Sequence, residues 1–224
     1  MIEYILDFIR NKSDNSKISV IFRHPKREKV GDWSNSFNTP LVEEGRKMAI
    51  DFGKRLSPKF SYNIYHSKYH RCVEAAELIL QGIQESKPET KSKISGASDF
   101  LSFFYVLDVD YIAKIGKEIG GGKEFFLKWQ NHELDPTKII PFRTTTKLMV
   151  QKIAELIDEE NKDEIELLVT HDWVLVLMLS KILDIYDDDF PWPQYFESIF
   201  IKKTENRLKI NYKEYSGDIV LSQK

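Results

Sequence analysis

A cluster of cationic and imidazole side chains directly follows an apolar stretch near the start of the sequence. Residues 18–22 form a near-continuous apolar run, after which come Arg23, His24 and Arg27. Such a run is typical of a strand that is buried on both faces of a parallel sheet. In open α/β sheets the ligand lies beyond the carboxyl ends of the strands, where these three side chains would fall. Because the rigid donors of arginine match the oxygens of a phosphate, the pattern indicates a phosphoryl site centred on His24.

A second apolar run leads to another histidine. Residues 165–170 are predicted to form a strand that ends directly at His171 and Asp172. Arg71 is predicted in the first turn of a helix, whose positive end would add to an anion site. Strands that end at one edge of a sheet bring their following residues together, so we expect both histidines and the three arginines to line one crevice.

This set of side chains suits phosphoryl transfer. A histidine can attack phosphorus to form a phosphohistidine, which divides hydrolysis into two easier steps. Fixed cations can stabilise the transferring phosphoryl group without a metal. The leaving alcohol also needs a proton, which a carboxyl group can supply. Asp172, beside His171, is the first candidate for this donor.

The remaining pattern predicts the elements that position these side chains. Helical spacing covers residues 2–9, 41–56, 69–81 and 173–183, and strand patterns cover residues 18–22, 62–65, 165–170, 196–201 and 208–212. Thr39 and Pro40 are expected at the start of the second helix. The last two strands are predicted to form a hairpin at the edge of the sheet.

The predicted fold class is a three-layer α/β/α sandwich with a mostly parallel central sheet, a C-terminal edge hairpin and a helical insertion over the site. Residues 85–163 are predicted to be that mostly helical insertion, which caps the site. We expect residues 1–224 to form a single domain, because no linker composition bounds the insertion.

Composition and charge exclude several function classes. The 224 residues include 33 basic and 35 acidic side chains, so a net charge of -2 gives no reason to expect nucleic acid or a membrane as partner. The one cysteine, Cys72, rules out a disulfide framework or a thiolate metal cluster. No apolar run can span a bilayer and the N-terminal residues do not resemble a signal peptide, so we expect a cytoplasmic location.

No cofactor and no metal are expected. The expected partner is a small phosphorylated substrate or a phosphoprotein, and the sequence does not predict the oligomeric state.

Four motifs, in order along the chain, carry a resemblance to a known family. They are Arg23-His24 with Arg27, Leu41-Val42-Glu43-Glu44-Gly45, Tyr65-His66-Ser67-Lys68-Tyr69-His70-Arg71, and Thr170-His171-Asp172. By these motifs, which span roughly residues 17–81 and 164–202, the chain resembles the histidine phosphatase superfamily. That family includes phosphoglycerate mutases, acid phosphatases and phytases. The first motif matches the nucleophile motif Arg-His-Gly of the family, while Arg27 and Asp172 match positions of its acid phosphatase branch.

The resemblance implies a role for each of these side chains. His24 would be the nucleophile and Asp172 the proton donor. The residues that hold the phosphate would be Arg23, Arg27, Arg71 and His171.

The sequence departs from the family pattern at two places. Pro25 replaces the family glycine, which removes one backbone N–H beside the nucleophile and stiffens the turn. In the mutase-like branch the donor is a glutamate from the middle of the chain, but the comparable segment here has Asp99 and then Ser102 in place of the glutamate. This departure favours Asp172 as the donor and leaves Asp99 as a reserve proton donor.

The leading prediction is a metal-independent phosphomonoesterase, and two alternatives stay open. A phosphoglycerate mutase-like phosphotransferase or a phosphohistidine phosphatase would use the same nucleophile. A phosphate-binding or interaction module with impaired catalysis is also compatible with Pro25. A single histidine at the end of a strand is more often a hydrogen-bonded structural residue than a catalytic one. His66 and His70 are expected at the surface or at the rim of the pocket.

Overall fold

The structure is a computed structural model that describes residues 2–12, 17–30, 33–119, 122–158, 163–183, 192–204 and 206–221. Its helices are α1 (Ile2–Arg10), α2 (Glu43–Arg55), α3 (His70–Ser86), α4 (Val109–Ile119), α5 (Gly122–Gln130), α6 (Phe142–Asp158) and α7 (Asp172–Leu183). Its strands are β1 (Lys17–Arg23), β2 (Ser61–His66), β3 (Lys93–Ala97), β4 (Glu164–Thr170), β5 (Ser198–Thr204), β6 (Arg207–Tyr212) and β7 (Tyr215–Val220).

The strands form one seven-stranded sheet in the order β3-β2-β4-β1-β5-β6-β7. The first four strands in this order run parallel, and the last three are added antiparallel. Strands β1 and β4 lie in the middle because their apolar runs are buried on both faces. Arg23 is paired with Thr170 and His66 with Val169, so the carboxyl ends of β1, β4 and β2 are level with each other.

Helices cover both faces of the sheet. Ile18, Val20 and Phe22 of β1 pack under α1, α2 and α3, whereas Ile21 packs on the opposite face with residues of α5, α6 and α7. Alternate side chains of one strand therefore enter two different cores. This arrangement confirms the predicted three-layer α/β/α sandwich.

Both edge strands were absent from the sequence prediction. The predicted hairpin, β5 and β6, does not form the edge, because β5 pairs with β1 and β7 lies outside β6. At the other edge lies β3, in which no residue is buried, while β7 alternates between half-buried and exposed residues. Because these two edge strands bury so little of their surface, they need no run of apolar residues, and the apolar pattern of the sequence does not reveal them.

The segment before α2 also differs from the prediction. The helix begins at Glu43 after an extended Val42, so Pro40 lies outside it. Leu41 instead forms a β-bridge with Arg27, which ties this segment to the loop after β1.

The segment 85–163 contains α4, α5 and α6, as expected, but it also contributes β3 to the main sheet. The division of the chain into domains stays a prediction. Within the residues that the structure describes, no helix combines the length and the apolar character needed to cross a membrane.

Two glycines allow α2 to approach its neighbours closely. A methyl group on Gly82 of α3 would overlap the backbone carbonyl of Ile50 in α2. A methyl group on Gly45 would overlap the carbonyl of Lys26, in the loop that follows His24. These contacts fix both the helix and the loop that reach the ligand edge of the sheet.

We expect Gly82→Ala to lower the free energy of unfolding by about 1–3 kcal/mol, since the added methyl group meets backbone atoms that cannot move independently. The matched control is Gly116→Ala in α4, where a Cβ would have no heavy atom within 4 Å. That change should be neutral or stabilise the protein by up to about 1 kcal/mol, from helix propensity. Urea denaturation measures both, and equal effects would contradict the close approach of α2 and α3.

Candidate active site

The candidate site lies where the carboxyl ends of β1, β4 and β2 meet. Arg23 ends β1 and His24 follows it, and His171 and Asp172 follow β4. Arg71 enters from the first turn of α3. The structure thus brings together five of the side chains that the sequence predicted.

Arg71 is the central donor of the site, and its side chain is buried. Its Nε atom donates to Nε2 of His24 at 3.0 Å, and its Nη2 atom donates to Nδ1 of His171 at 3.1 Å. The Nη1 atom donates to the carbonyl of Ser36 at 2.7 Å. Because a guanidinium has no acceptor, both imidazole nitrogens that it contacts must present a lone pair.

His24 is held in one orientation and one tautomer. Its backbone N–H donates to the carbonyl of Thr170 at 2.8 Å. Its ring Nδ1 lies 2.7 Å from the carbonyl of Pro25 and therefore carries the proton that it donates there. The unprotonated nitrogen is Nε2, which faces Arg71. This is the nitrogen that can attack phosphorus.

His171 is fixed by a pair of serines that the sequence analysis did not predict as functional. Since its Nδ1 accepts from Arg71, its Nε2 carries the proton, which it donates to Ser67 Oγ at 2.8 Å. Ser67 Oγ lies 3.0 Å from Ser102 Oγ. Ser102 occupies the position where the sequence comparison expected a glutamate, and here it supports His171 through Ser67. The position of Ser67 directly after β2 was the one feature of the sequence that could have indicated this contact.

Burial and positive charge keep both histidines neutral. The pKa of His24 is well below its usual range, first because the ring is buried and then because Arg71 is adjacent; the hydrogen bond to Pro25 opposes this only in part. The pKa of His171 is lowered by burial, by Arg71 and by His24 in the same way. Neutral imidazole is the form in which histidine is a nucleophile.

Asp172 and Arg23 form an ion pair beside the histidines. Arg23 Nη2 lies 2.9 Å from Asp172 Oδ2, which also accepts from Trp192 Nε1 at 2.9 Å. Asp172 Oδ1 accepts from the backbone N–H of Trp173 at 3.0 Å. Arg23 also donates to the carbonyl of Pro193 at 2.6 Å. In this arrangement both oxygens of Asp172 act as acceptors.

Arg27 and Asp99 lie farther from the two imidazoles. Arg27 is half-buried, donates to the carbonyl of Glu28 at 2.7 Å and lines the cavity that opens from the site. Its charge contributes to the lowered pKa values of both histidines. The side chain of Asp99 is 82% exposed and faces Lys68 at 3.5 Å, so it lies on the surface rather than among the buried groups.

Cys72, His66 and His70 have no part in the proposed arrangement. Cys72 is buried with Sγ 3.8 Å from Nε2 of His171, and burial raises the pKa of this thiol to about 12, so it stays protonated. His66 is buried and so does not lie at the surface, one of its two expected positions, while His70 is exposed. Among the residues that the structure describes, no three His, Cys, Asp or Glu side chains are grouped to hold a metal ion.

The comparison with protein-family models matches residues 20–95 to the histidine phosphatase superfamily (branch 1). This segment contains the first three of the four motifs. A comparison with curated protein sequences gives no match.

Solved structures share the fold over most of their length. YhfR of Bacillus stearothermophilus superposes with a TM-score of 0.61 at 19% identity, over 88% of this chain and 96% of its own. Phosphoglycerate mutase from Bacillus anthracis superposes with a TM-score of 0.57 at 20% identity, over 90% of this chain and 95% of its own. Phosphoserine phosphatase from Entamoeba histolytica, solved with 3-phosphoglyceric acid, superposes with a TM-score of 0.53 at 16% identity, over 82% of this chain and 89% of its own.

At these identities the structural likeness establishes the fold and not the reaction. The family match rests on the segment that carries His24 and Arg71, both of which the structure buries at the ligand edge of the sheet. Together, the family match and the shared fold confirm the resemblance of this chain to the histidine phosphatase superfamily.

Proposed function

We propose that the protein is a metal-independent phosphatase that hydrolyses a phosphomonoester through a phosphohistidine at Nε2 of His24. The observation that carries this proposal is the contact of Arg71 Nε with the unprotonated nitrogen of a buried, neutral His24. A nucleophile and a cation then face the same point. A bound phosphoryl group would replace His24 as the acceptor of the Arg71 N–H, which leaves the Nε2 lone pair free to attack phosphorus.

In the first step, a bond forms between His24 Nε2 and phosphorus as the bond from phosphorus to the ester oxygen breaks. Arg71 lies where its guanidinium can stabilise the negative charge on the phosphoryl oxygens, and the charge of Arg27 adds to it. His171 can donate to a phosphoryl oxygen once its Nδ1, which accepts from Arg71 in the structure, takes up a proton. The departing alcohol takes a proton from an acid. In the second step, water attacks phosphorus and gives up a proton to a base, while the bond from phosphorus to His24 Nε2 breaks and inorganic phosphate leaves.

Asp172 is proposed as the acid of the first step and the base of the second. It lines the cavity next to the two histidines, and its Oδ2 is held by Arg23 and Trp192 in this arrangement. To carry a proton, Oδ2 must lose one of these donors. We infer that Arg23 turns from Asp172 to the phosphoryl group when substrate binds. This movement would free Asp172 Oδ2 to carry a proton and would add a cation at the phosphoryl oxygens.

Pro25 is compatible with this chemistry although it departs from the family motif. Its carbonyl still accepts the Nδ1 proton of His24 at 2.7 Å, so the contact that sets the tautomer does not need glycine. What proline removes is one N–H donor. A mutase or a phosphohistidine phosphatase would use the same nucleophile, whereas a phosphate-binding module would lack turnover.

The first prediction concerns the nucleophile. Hydrolysis of p-nitrophenyl phosphate in the presence of EDTA should fall by about a thousandfold or more in His24→Ala, because no other group replaces Nε2. The matched control is His70→Ala, an exposed histidine in the first turn of α3, which should keep its activity. Turnover that survives His24→Ala, or that disappears in EDTA, would contradict the proposal. Phosphate binding without turnover would support the binding module.

The second prediction concerns the proton donor. Asp172→Asn should slow hydrolysis of an alkyl phosphate by about a hundredfold to ten-thousandfold, the usual contribution of a general acid. With p-nitrophenyl phosphate the first step should slow much less, since p-nitrophenolate leaves without a proton. The rate of this step is measured as the formation of p-nitrophenolate in a single turnover. Asp99→Asn is the control and should change neither rate, because that carboxylate is exposed. Equal losses on both esters would assign Asp172 a structural role only.

The third prediction follows from the lowered pKa of His24. Below its ordinary value of 6.5, the unfolded chain binds a proton that the folded imidazole does not take up. Stability should therefore fall as pH decreases below about 6.5, until the folded pKa is reached. In His24→Asn this fall should be shallower by up to about 1.4 kcal/mol per pH unit, measured by urea denaturation at each pH. Identical slopes would show that His24 titrates normally in the folded protein.

A further inference from the structure

The site opens into a cavity much larger than a phosphate group. The cavity has a volume of about 880 Å³, and Arg27, Ser36 and Asp172 are among the residues that line it. Cavities of this size hold ligands of drug-like dimensions, roughly 300–1,000 Å³. A phosphoryl group bound at the histidines would lie at the end of the cavity that Arg27 and Asp172 line, and the remaining space is available to the alcohol portion of a substrate.

One wall of the cavity is the apolar face of α4. This helix contributes Val109, Ile112, Ala113 and Gly116 to the lining, yet none of its residues is buried. Val109 is 64% exposed. An amphipathic helix normally buries its apolar face against protein, so the face of α4 lacks part of the cover that such a face usually has.

The other walls are largely aromatic. Phe103, Phe125, Trp173 and Trp192 line the cavity, and Phe103 is also stacked on His171 with ring centroids 4.7 Å apart. The aromatic wall thus begins beside His171 and continues outward to Trp173 and Trp192. Tyr105 adds a buried hydroxyl that has no hydrogen-bond partner among the described residues.

Lysines are also present in the lining, and they offer a different reading of the cavity. Lys68 and Lys117 are exposed, and Lys68 already faces Asp99 at 3.5 Å. Lys123, also in the lining, is half-buried, so a second anionic group could be held there; the comparison with 3-phosphoglycerate below tests this alternative. The lining also includes Arg27, Ser36 and Asp172 near the histidines, but most of its side chains are aliphatic or aromatic.

Resting on the proposed phosphatase activity, we propose that the natural substrate class is phosphomonoesters of large, apolar alcohols, whose hydrocarbon part lies between α4 and the aromatic wall. Transfer of each methylene from water to an apolar site favours binding by about fourfold. Uncovered apolar area on α4 would be buried by the substrate itself. Small, strongly hydrated substrates such as 3-phosphoglycerate would leave this surface exposed.

The test uses a series of n-alkyl phosphates from propyl to octyl, which share a leaving group of nearly constant acidity. We expect kcat/KM to rise by up to about fourfold per added methylene, and octyl phosphate to exceed 3-phosphoglycerate. A flat series, within about twofold from end to end, or a preference for 3-phosphoglycerate would overturn the assignment of substrate class.

Variants of α4 locate the effect in this cavity. Gly116→Leu places a side chain where a Cβ has open space, and it should reduce the octyl-to-propyl ratio of kcat/KM by about tenfold. Lys114→Leu, an exposed position of the same helix outside the lining, should leave the ratio unchanged. Ala113→Leu narrows the same wall and serves if Gly116→Leu does not fold. An unchanged ratio in a folded variant of Gly116 or Ala113 would show that the hydrocarbon part of the substrate does not bind against α4.

Binding measurements separate this inference from the proposed reaction. Octylphosphonate and propylphosphonate cannot be hydrolysed, and the fluorescence of Trp173 and Trp192 in the cavity wall can report their binding. If octylphosphonate binds more tightly and Gly116→Leu removes the difference, but no ester is hydrolysed, the reaction fails and the cavity assignment stands. If hydrolysis occurs and the two phosphonates bind alike, the reaction stands and the cavity assignment fails.

Discussion

The site depends on one guanidinium that donates to two imidazoles. Arg71 cannot accept a hydrogen bond, so its contacts at 3.0 Å with His24 and 3.1 Å with His171 dictate which nitrogen of each ring is unprotonated. Pro25 and Ser67 then take the remaining ring protons. Burial is the main cause of the lowered pKa of both histidines, and Arg71 adds to it, so this side chain sets the tautomers and helps to keep both rings neutral.

The fold provides this arrangement through three level strand ends and closely packed helices. The register of β1, β4 and β2 brings His24 and His171 to one edge, and the approach of α3 to α2 at Gly82 holds the helix that carries Arg71. The same helix pair is apolar on the side that faces the sheet. Stability and the position of the central cation therefore come from the same contacts.

The sequence predicted what local patterns determine. Long apolar runs identified the central strands, and the polar residues directly after them identified His24 and His171. Strands β3 and β7 were missed because edge strands bury too little to produce a pattern. The support of His171 by Ser67 and Ser102, and the pairing of Arg23 with Asp172, join residues that are distant in sequence. The apolar cavity likewise exists only once α4 lies opposite Trp173 and Trp192, so no periodicity could have revealed it.

The central claim is that phosphate passes through Nε2 of His24. Rapid mixing with a phosphomonoester, followed by an alkaline quench and peptide mapping by mass spectrometry, tests it most directly, since phosphohistidine survives in alkali. The account predicts one phosphate per molecule on the peptide that contains His24, attached at Nε2, formed and lost at rates that match turnover. Sustained hydrolysis with no phosphorylated histidine, or with the phosphate on another side chain, would contradict it.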